Sequence, residues 1–343
     1  MAAYGYTLTV SAGKIPSSQA GFNWLLTEAN FPTAAKDGGA TSILTGGGNL
    51  RCYTDDTKAT QLPIDVVVFV TGAAPIIQVW GLSPLLDVGS TVYAEADTVA
   101  TSQPVFSGSY GRNATWADFE LVIHGATSMS STGNHSPTIV GSPSVSSVAF
   151  GSGYDLSNNT KYVQIPHATS LNIDKNYSID FWINPLSSPA SGQTYVDKVN
   201  SSNTTGFRAL TGGTNTIRSR HPTLTASNLT NADISTATKR LSFDMDGTVR
   251  QNIINGVSLG SDSPTGTVTN NNEDLFIGHC LSTLSDSFEG VLGGFWLSKS
   301  SRSVAKKLGE FNNQSDPSAF FSASAWVEQG SGGISLTATL GTI

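Results

Sequence analysis

Apolar and polar residues alternate with period two in short runs along most of the chain, and turn residues separate the runs. The first run, residues 4–10, ends at a Ser-Ala-Gly turn cluster. Residues 22–31 mix aromatics with Leu25 and Leu26 and stop at Pro32, which bars a helix from continuing. Further strands are predicted at 50–54, 64–70, 76–82 and 91–95. Residues 107–117 carry Gly108 and Gly111 and no apolar rhythm, so they read as a junction. Beyond it the alternation resumes at 119–124, 145–150, 162–165, 177–183, 194–199, 207–210, 240–245, 251–254, 275–277 and 288–297. Spacings this short, with Gly, Asn, Asp, Ser or Pro between them, describe a β-sandwich or barrel. Asn255-Gly256 is the strongest local hairpin signal.

One helix is predicted, over residues 303–311. It puts Val304, Leu308 and Phe311 on one face, with Ser301 or Ser303 as its cap and Asn312-Asn313 as its end. Gly309 weakens it slightly. The last stretch opens with Gly and Ser and then alternates through Ile334, Leu336, Ala338 and Leu340. A terminal strand of this kind joins its own sheet or pairs with a neighbouring subunit.

Composition narrows the class. At about 150 residues per domain, 343 residues suit two domains. Only 13% of residues are charged, and 18 Lys+Arg against 25 Asp+Glu leave a net charge of −7. With a pI near 5.1 and no basic patch, nucleic acid is not an expected partner. No apolar run reaches the roughly 18–20 residues needed to span a bilayer, so no membrane insertion is expected. The Met-Ala-Ala-Tyr start shows no secretory signal. Cys52 and Cys280 make no disulfide framework and read as reduced small hydrophobes.

Two family resemblances cover nearly the whole chain. Val148-Ala-Phe150, Tyr162-Val-Gln-Ile165, Tyr177-Ser-Ile-Asp-Phe-Trp-Ile-Asn-Pro185, Leu275-Phe-Ile-Gly278, Phe288-Glu-Gly290 and Gly294-Phe-Trp-Leu-Ser298 occur in the order of a laminin-G-like, concanavalin A-type jelly roll. The first 110 residues resemble an uncharacterised β-domain that precedes such jelly rolls in bacterial and phage proteins. The residues carrying this are Asn49-Leu-Arg-Cys-Tyr53, Val79-Trp-Gly-Leu82 and Ser90-Thr-Val-Tyr93. The expected organisation is therefore all-β: a β-sandwich over 1–110, a jelly roll with one short C-terminal helix over 111–322, and a docking extension over 323–343.

The search for chemistry is nearly empty. His124, His135, His167, His221 and His279 have no metal-ligand spacing. Gly46-Gly-Gly48 lacks the Lys-Ser/Thr of a phosphate loop, and Gly151-Ser-Gly153 reads as a turn. The paired carboxylates that glycosidases need are missing. The chain is therefore read as not an enzyme. The laminin-G resemblance implies that calcium can sit at a loop edge, and Asp244 and Asp246 in Asp-Met-Asp-Gly are the candidate ligands; the competing reading is a plain hairpin tip. Trp116 and Trp182 are candidates for a glycan-stacking platform, with Trp296 and Trp326 behind them, although core burial is the commoner fate of tryptophan in a sandwich. The resemblances imply a structural protein on a tailed-phage virion surface, a capsid decoration or tail-associated adhesion protein. Other virion proteins, a homo-oligomeric array and a host-surface glycan are its expected partners. The alternative is a bacterial exported carbohydrate-binding or adhesin module.

Overall fold

A computed structural model describes residues 3–125, 132–186, 192–213, 216–225, 229–230, 234, 237–283 and 286–329. Within them the alternating runs form antiparallel strands in four sheets. In the first half, Gln19–Thr27, Ile76–Leu86 and Ile64–Val70 make a three-stranded sheet. Opposite it lies a six-stranded sheet built on Ala3–Val10, Thr91–Ala96, Leu50–Tyr53 and Gln61–Leu62. Phe22, Trp24, Val79 and Phe69 meet Tyr6, Leu8, Leu50 and Val92 in the core between them. Gly81 is required there, because a Cβ would lie 2.0 Å from the Trp24 ring.

The far end of the chain completes this first unit. Phe321–Ala323 and Val327–Gln329 both pair with Ala3–Val10. Phe320 and Phe321 are buried in the first core, and the Trp326 ring lies 5.7 Å from that of Tyr6. The start of the expected extension thus joins its own chain, while the alternating stretch through Ile334 and Leu340 lies outside the described residues.

In the second half, an eight-stranded sheet centres on Gly290–Ser298, Asn176–Pro185 and Lys239–Asp246. A seven-stranded sheet faces it, in the order Leu229–Thr230, Thr216–Arg220, Arg208–Gly213, Thr194–Asp197, Leu275–Ile277, Tyr162–Ile165, Thr138–Val140. Ile179, Phe181, Ile183 and Phe243 from one sheet meet Val163, Ile165, Ala209 and Ile277 from the other. Arg250–Ile254 and Val257–Asp262 form the predicted hairpin, with Asn255 and Gly256 both at positive φ, as a tight two-residue turn requires.

Two local expectations need correcting. Residues 145–150 are not one strand but the first arm of a hairpin between Ser144–Val148 and Gly151–Asp155. Gly151-Ser-Gly153 is therefore strand rather than turn. Gly153 lets the arm approach the next strand, since a Cβ there would lie 2.6 Å from the Leu292 carbonyl oxygen. The helix, capped by Ser303 as expected, runs Val304–Ser315, past Asn312 and Asn313. Asn313 does not end it, because its amide bonds both the N–H and the C=O of Leu25.

That helix buries its polar face rather than the apolar one. Lys307, Glu310, Asn313 and Gln314 are buried, while Val304, Leu308 and Phe311 are half-buried. Beneath the helix the eight-stranded sheet presents Asp180, Arg240 and Asp244. Arg240 Nη2 lies 3.1 Å from Asp180 and 2.7 Å from Glu310, and Arg240 also donates to the Lys307 carbonyl. Lys307 reaches Asp180 and Ser178, and Arg302 reaches Glu310. Three acids and three bases are thus neutralised out of water. The other side of the helix meets the first unit: a Cβ on Gly309 would come to 3.0 Å from Phe22, and Asn312 donates to the Lys14 carbonyl.

An aromatic layer closes the same seam. Trp80 lies 5.3 Å from Trp116 and 5.7 Å from Trp296, and Trp182 stacks on Phe311. Removing one partner of a buried ion pair strands the other, which costs about 3–5 kcal/mol. Lys307→Ala is therefore expected to lower unfolding stability by about that amount, measured by urea denaturation. A loss below about 1 kcal/mol, the worth of an exposed pair, would place the network in solvent.

Candidate functional site

The candidates singled out in the sequence fall in the interior or at a turn. Trp116 and Trp182 are each only 2% exposed. Trp116 donates to Asp65 at 2.8 Å and Trp182 to Gln314 at 2.8 Å. A stacking platform needs an open ring face, and these rings spend theirs on the seam between the two units, as do Trp80 and Trp296. Asp244 is buried beside Lys307, at 3.8 Å, and accepts from the Arg302 N–H. Asp246 is exposed and caps its own hairpin, accepting from Thr248 and Val249. The oxygens proposed for calcium thus serve the chain's own donors. Among the described residues no group of three or more His, Cys, Asp and Glu is arranged to hold a metal ion. Cys52 and Cys280 are free and buried, and burial pushes the Cys52 thiol up to about 12.

The sequence search missed the outer face of the seven-stranded sheet. Its strands alternate, so Val163, Ile165, Ile277, Val196, Ala209 and Ile217 enter the core and their neighbours point away. The register lines those neighbours into one row: Gln164 beside Phe276, then Asp197, Arg208 and Arg220. At one end of the row the half-buried Tyr162 ring stacks on His279, with centroids 4.2 Å apart and planes 20° apart. Phe276 braces both rings, at 5.9 Å from Tyr162 and 5.5 Å from His279. Burial lowers the His279 pKa, which favours the neutral ring in this stack.

Polar groups surround the stack. Gln164 donates to Asp274 at 2.6 Å, and the His167 N–H donates to the other Asp274 oxygen at 2.7 Å. Lys198 Nζ sits 3.1 Å from His167 Nδ1 and donates to the Glu273 carbonyl. Burial pushes its pKa down to about 8. Asp197 pairs with Arg208 at 2.9 Å and accepts from the Leu281 N–H, and Arg208 also donates to Ser282, so the segment after His279 folds over the middle of the row. A half-buried aromatic ring with an amide and a carboxylate nearby can stack on and hydrogen-bond a polar ring, while the Lys198 ammonium is buried and held by the Glu273 carbonyl. Single-chain reasoning had no signal for it, because Tyr162 and His279 lie 117 positions apart and only the sheet register joins them.

Two clefts lie elsewhere on the molecule. One, about 390 Å³, opens at the end of the sandwich among Asn172, Asp174, Asn176 and Asn270. The other, about 530 Å³, lies between the two units, walled by Val68, Ile77, Phe150 and Pro317, with the buried Gln78 amide among its lining. No described helix is long and apolar enough to cross a membrane.

Residues 157–306 match the family model of the concanavalin A-like lectin/glucanases superfamily. No curated protein matches the chain. Among solved structures it is similar to domain 4 of AbnA, an extracellular GH43 arabinanase from Geobacillus stearothermophilus, in complex with arabinotriose: 17% identity over 52% of this chain and 90% of that one, TM-score 0.44. It is also similar to the binding domain of Paraclostridial Mosquitocidal Protein 1, with 14% identity over 57% of this chain and 51% of that one, TM-score 0.47. The botulinum neurotoxin serotype D binding domain gives 10% identity over 57% and 52%, TM-score 0.47. The chain thus spans about half the length of the two toxin domains. With the sheet order described above, the family match makes the second unit a concanavalin A-like jelly roll in an all-β protein.

Burial pushes the Asp244 carboxyl up to about 6, against the pull of Lys307. It binds its proton more tightly folded than unfolded, so its contribution to stability is complete below the ordinary carboxyl pKa, about 4, and is lost as pH rises to about 6. Asp244→Asn is expected to remove that fall in stability between about pH 4 and pH 6, read as the pH profile of the denaturation midpoint. An unchanged profile would contradict the assignment.

Proposed function

We propose that the chain is a non-catalytic carbohydrate-binding module whose second domain contacts sugars through the outer face of its seven-stranded sheet. The observation that carries this reading is the Tyr162–His279 stack, a half-buried ring with Gln164 and Asp274 within the same row and corner. A sugar ring offers an apolar C–H face and a rim of hydroxyls, and an aromatic ring beside an amide and a carboxylate complements both. The match of residues 157–306 to a superfamily of lectins and glucanases supports the same class of ligand. A non-catalytic role is supported by the carboxylates of this face. Asp197 is held by Arg208 and the Leu281 N–H, and Asp274 by Gln164 and the His167 N–H, so neither is placed as a free acid or base beside an open cleft.

The finer reading places the module on a tailed-phage virion, as a capsid decoration or tail-associated adhesion protein. It rests on the resemblance of both halves of the sequence to phage and bacterial surface modules. On a virion, many copies beside other virion proteins would make weak sugar contacts add up. Mass spectrometry of purified particles tests this placement, and absence from every virion would sink it.

For the ligand class the test is direct. Tyr162→Ala removes the stacking ring from a half-buried position. It is expected to weaken binding to oligosaccharides on a glycan array roughly two- to tenfold, since a stacked aromatic contributes about 0.5–1.5 kcal/mol beyond its buried area. Circular dichroism should show the variant still folded at the binding temperature, with unfolding stability lowered by about 1–3 kcal/mol for the two lost aromatic contacts. Equal glycan binding by the variant would remove this face from consideration.

A further inference from the structure

We infer that the sugar this face receives is acidic, and that Arg218 and Arg220 take its carboxylate or sulfate group. The inference rests on the carbohydrate-binding reading above and names the ligand class for the same sheet face.

Strand alternation directs the two arginines. On Thr216–Arg220 the side chain of Ile217 enters the core. Ser219 is also internal, within 3.3 Å of Asn252 on the opposite sheet. Arg218 and Arg220 therefore project together from the outer face, one strand repeat or roughly 7 Å apart along the chain. Arg220 lies directly across from Arg208, the cationic end of the row that begins at Gln164. Arg218 lies across from the half-buried Leu210.

The neighbouring Arg208 and Arg250 each face a carboxylate, although each also keeps one buried guanidinium nitrogen without an acceptor, and among the described residues Arg218 and Arg220 face none. Arg208 has Asp197 and Ser282, and Arg250 has Asp262 and the Thr225 carbonyl. Among the described residues neither Arg218 nor Arg220 has a carboxylate or hydrogen-bond partner, although both are half-buried, and Arg218 Nε is shielded from water with no acceptor. Burial, then Arg220, then Arg250 lower the Arg218 pKa, so its charge is held at a cost that an anion would relieve. In a chain of net charge −7, two half-buried unpaired guanidiniums are a local excess of donors; they stand at the far end of a row five strands wide, about 19 Å from Gln164, the reach of an oligosaccharide rather than of one sugar. Guanidinium only donates, and its planar fork matches a carboxylate or an ester anion in two parallel bonds. A neutral sugar has no group that satisfies that fork as well.

The test uses calorimetric titration of the full chain at low ionic strength, with sialyllactose against lactose, oligogalacturonate, a chondroitin sulfate oligosaccharide, and polyglutamate as a charge-only probe. The acidic sugar is expected to bind roughly tenfold or more tightly than its neutral counterpart. Arg218→Gln and Arg220→Gln should each abolish most of that preference. Lys14→Gln, on the first unit, should leave it unchanged. Tyr162→Ala should weaken acidic and neutral sugars alike. Preference for the carboxylated or the sulfated ligand identifies the anionic group. Equal affinity for sialyllactose and lactose overturns the acidic subsite and leaves the carbohydrate reading standing. Polyglutamate binding as tightly as the acidic sugars overturns the carbohydrate reading, and this inference with it.

Discussion

The arrangement of the molecule depends on six charges that are kept out of water. Asp180, Asp244 and Glu310 face Arg240, Arg302 and Lys307 beneath the helix Val304–Ser315. An unpaired charge in that position is too costly to keep, so every member must stay opposite its partner. The helix is thereby fixed over the eight-stranded sheet, and its other side is fixed against Gln19–Thr27 by Asn313 and the missing side chain of Gly309. One polar helix thus ties the two units together, and the tryptophan layer fills the space beside it.

The consequence for function is a division of faces. The eight-stranded sheet spends its outer side on the seam, which absorbs Trp116, Trp182 and Trp296. On the seven-stranded sheet the row from Gln164 to Arg220 is laid out by register, with its middle buried beneath Leu281 and Ser282 and its two ends half-buried. The low charge of the chain has the same two-sided meaning. Several of its few ionic groups lie inside as matched pairs, and Arg218 and Arg220, half-buried on the outer side of the seven-stranded sheet, have no carboxylate partner among the described residues.

Much of the fold was legible in the sequence. Ile64–Val70 and Leu275–Ile277 were placed to the residue as short apolar runs of strand length, and Asn255-Gly256 named its hairpin. Alternation failed where geometry is carried by glycine. Gly151 and Gly153 looked like a turn because small residues mark turns, yet both lie in a strand, and Gly153 lets that strand pack closely on its neighbour. It also misjudged the helix face. Hydrophobic periodicity assumes that apolar residues go inward, and a sheet surface bearing Asp180 and Arg240 reverses that preference. The candidate site was illegible for a different reason. Tyr162 and Gln164 belong to a motif that names a strand and not a site, and nothing local brings His279 against Tyr162 or puts Arg220 on the same sheet face; only the fold does. The tryptophans attracted attention by residue type, while their partners Asp65 and Gln314 lie far away in the chain.

The account's central claim is that the outer face of the seven-stranded sheet is where a saccharide binds. Nuclear magnetic resonance of isotope-labelled protein titrated with an acidic oligosaccharide tests it most directly, residue by residue. The account predicts amide shifts concentrated at Tyr162, Gln164, Phe276, Arg218 and Arg220, with the helix Val304–Ser315 silent. Shifts confined to the cleft between the two units, around Gln78 and Phe150, would contradict it.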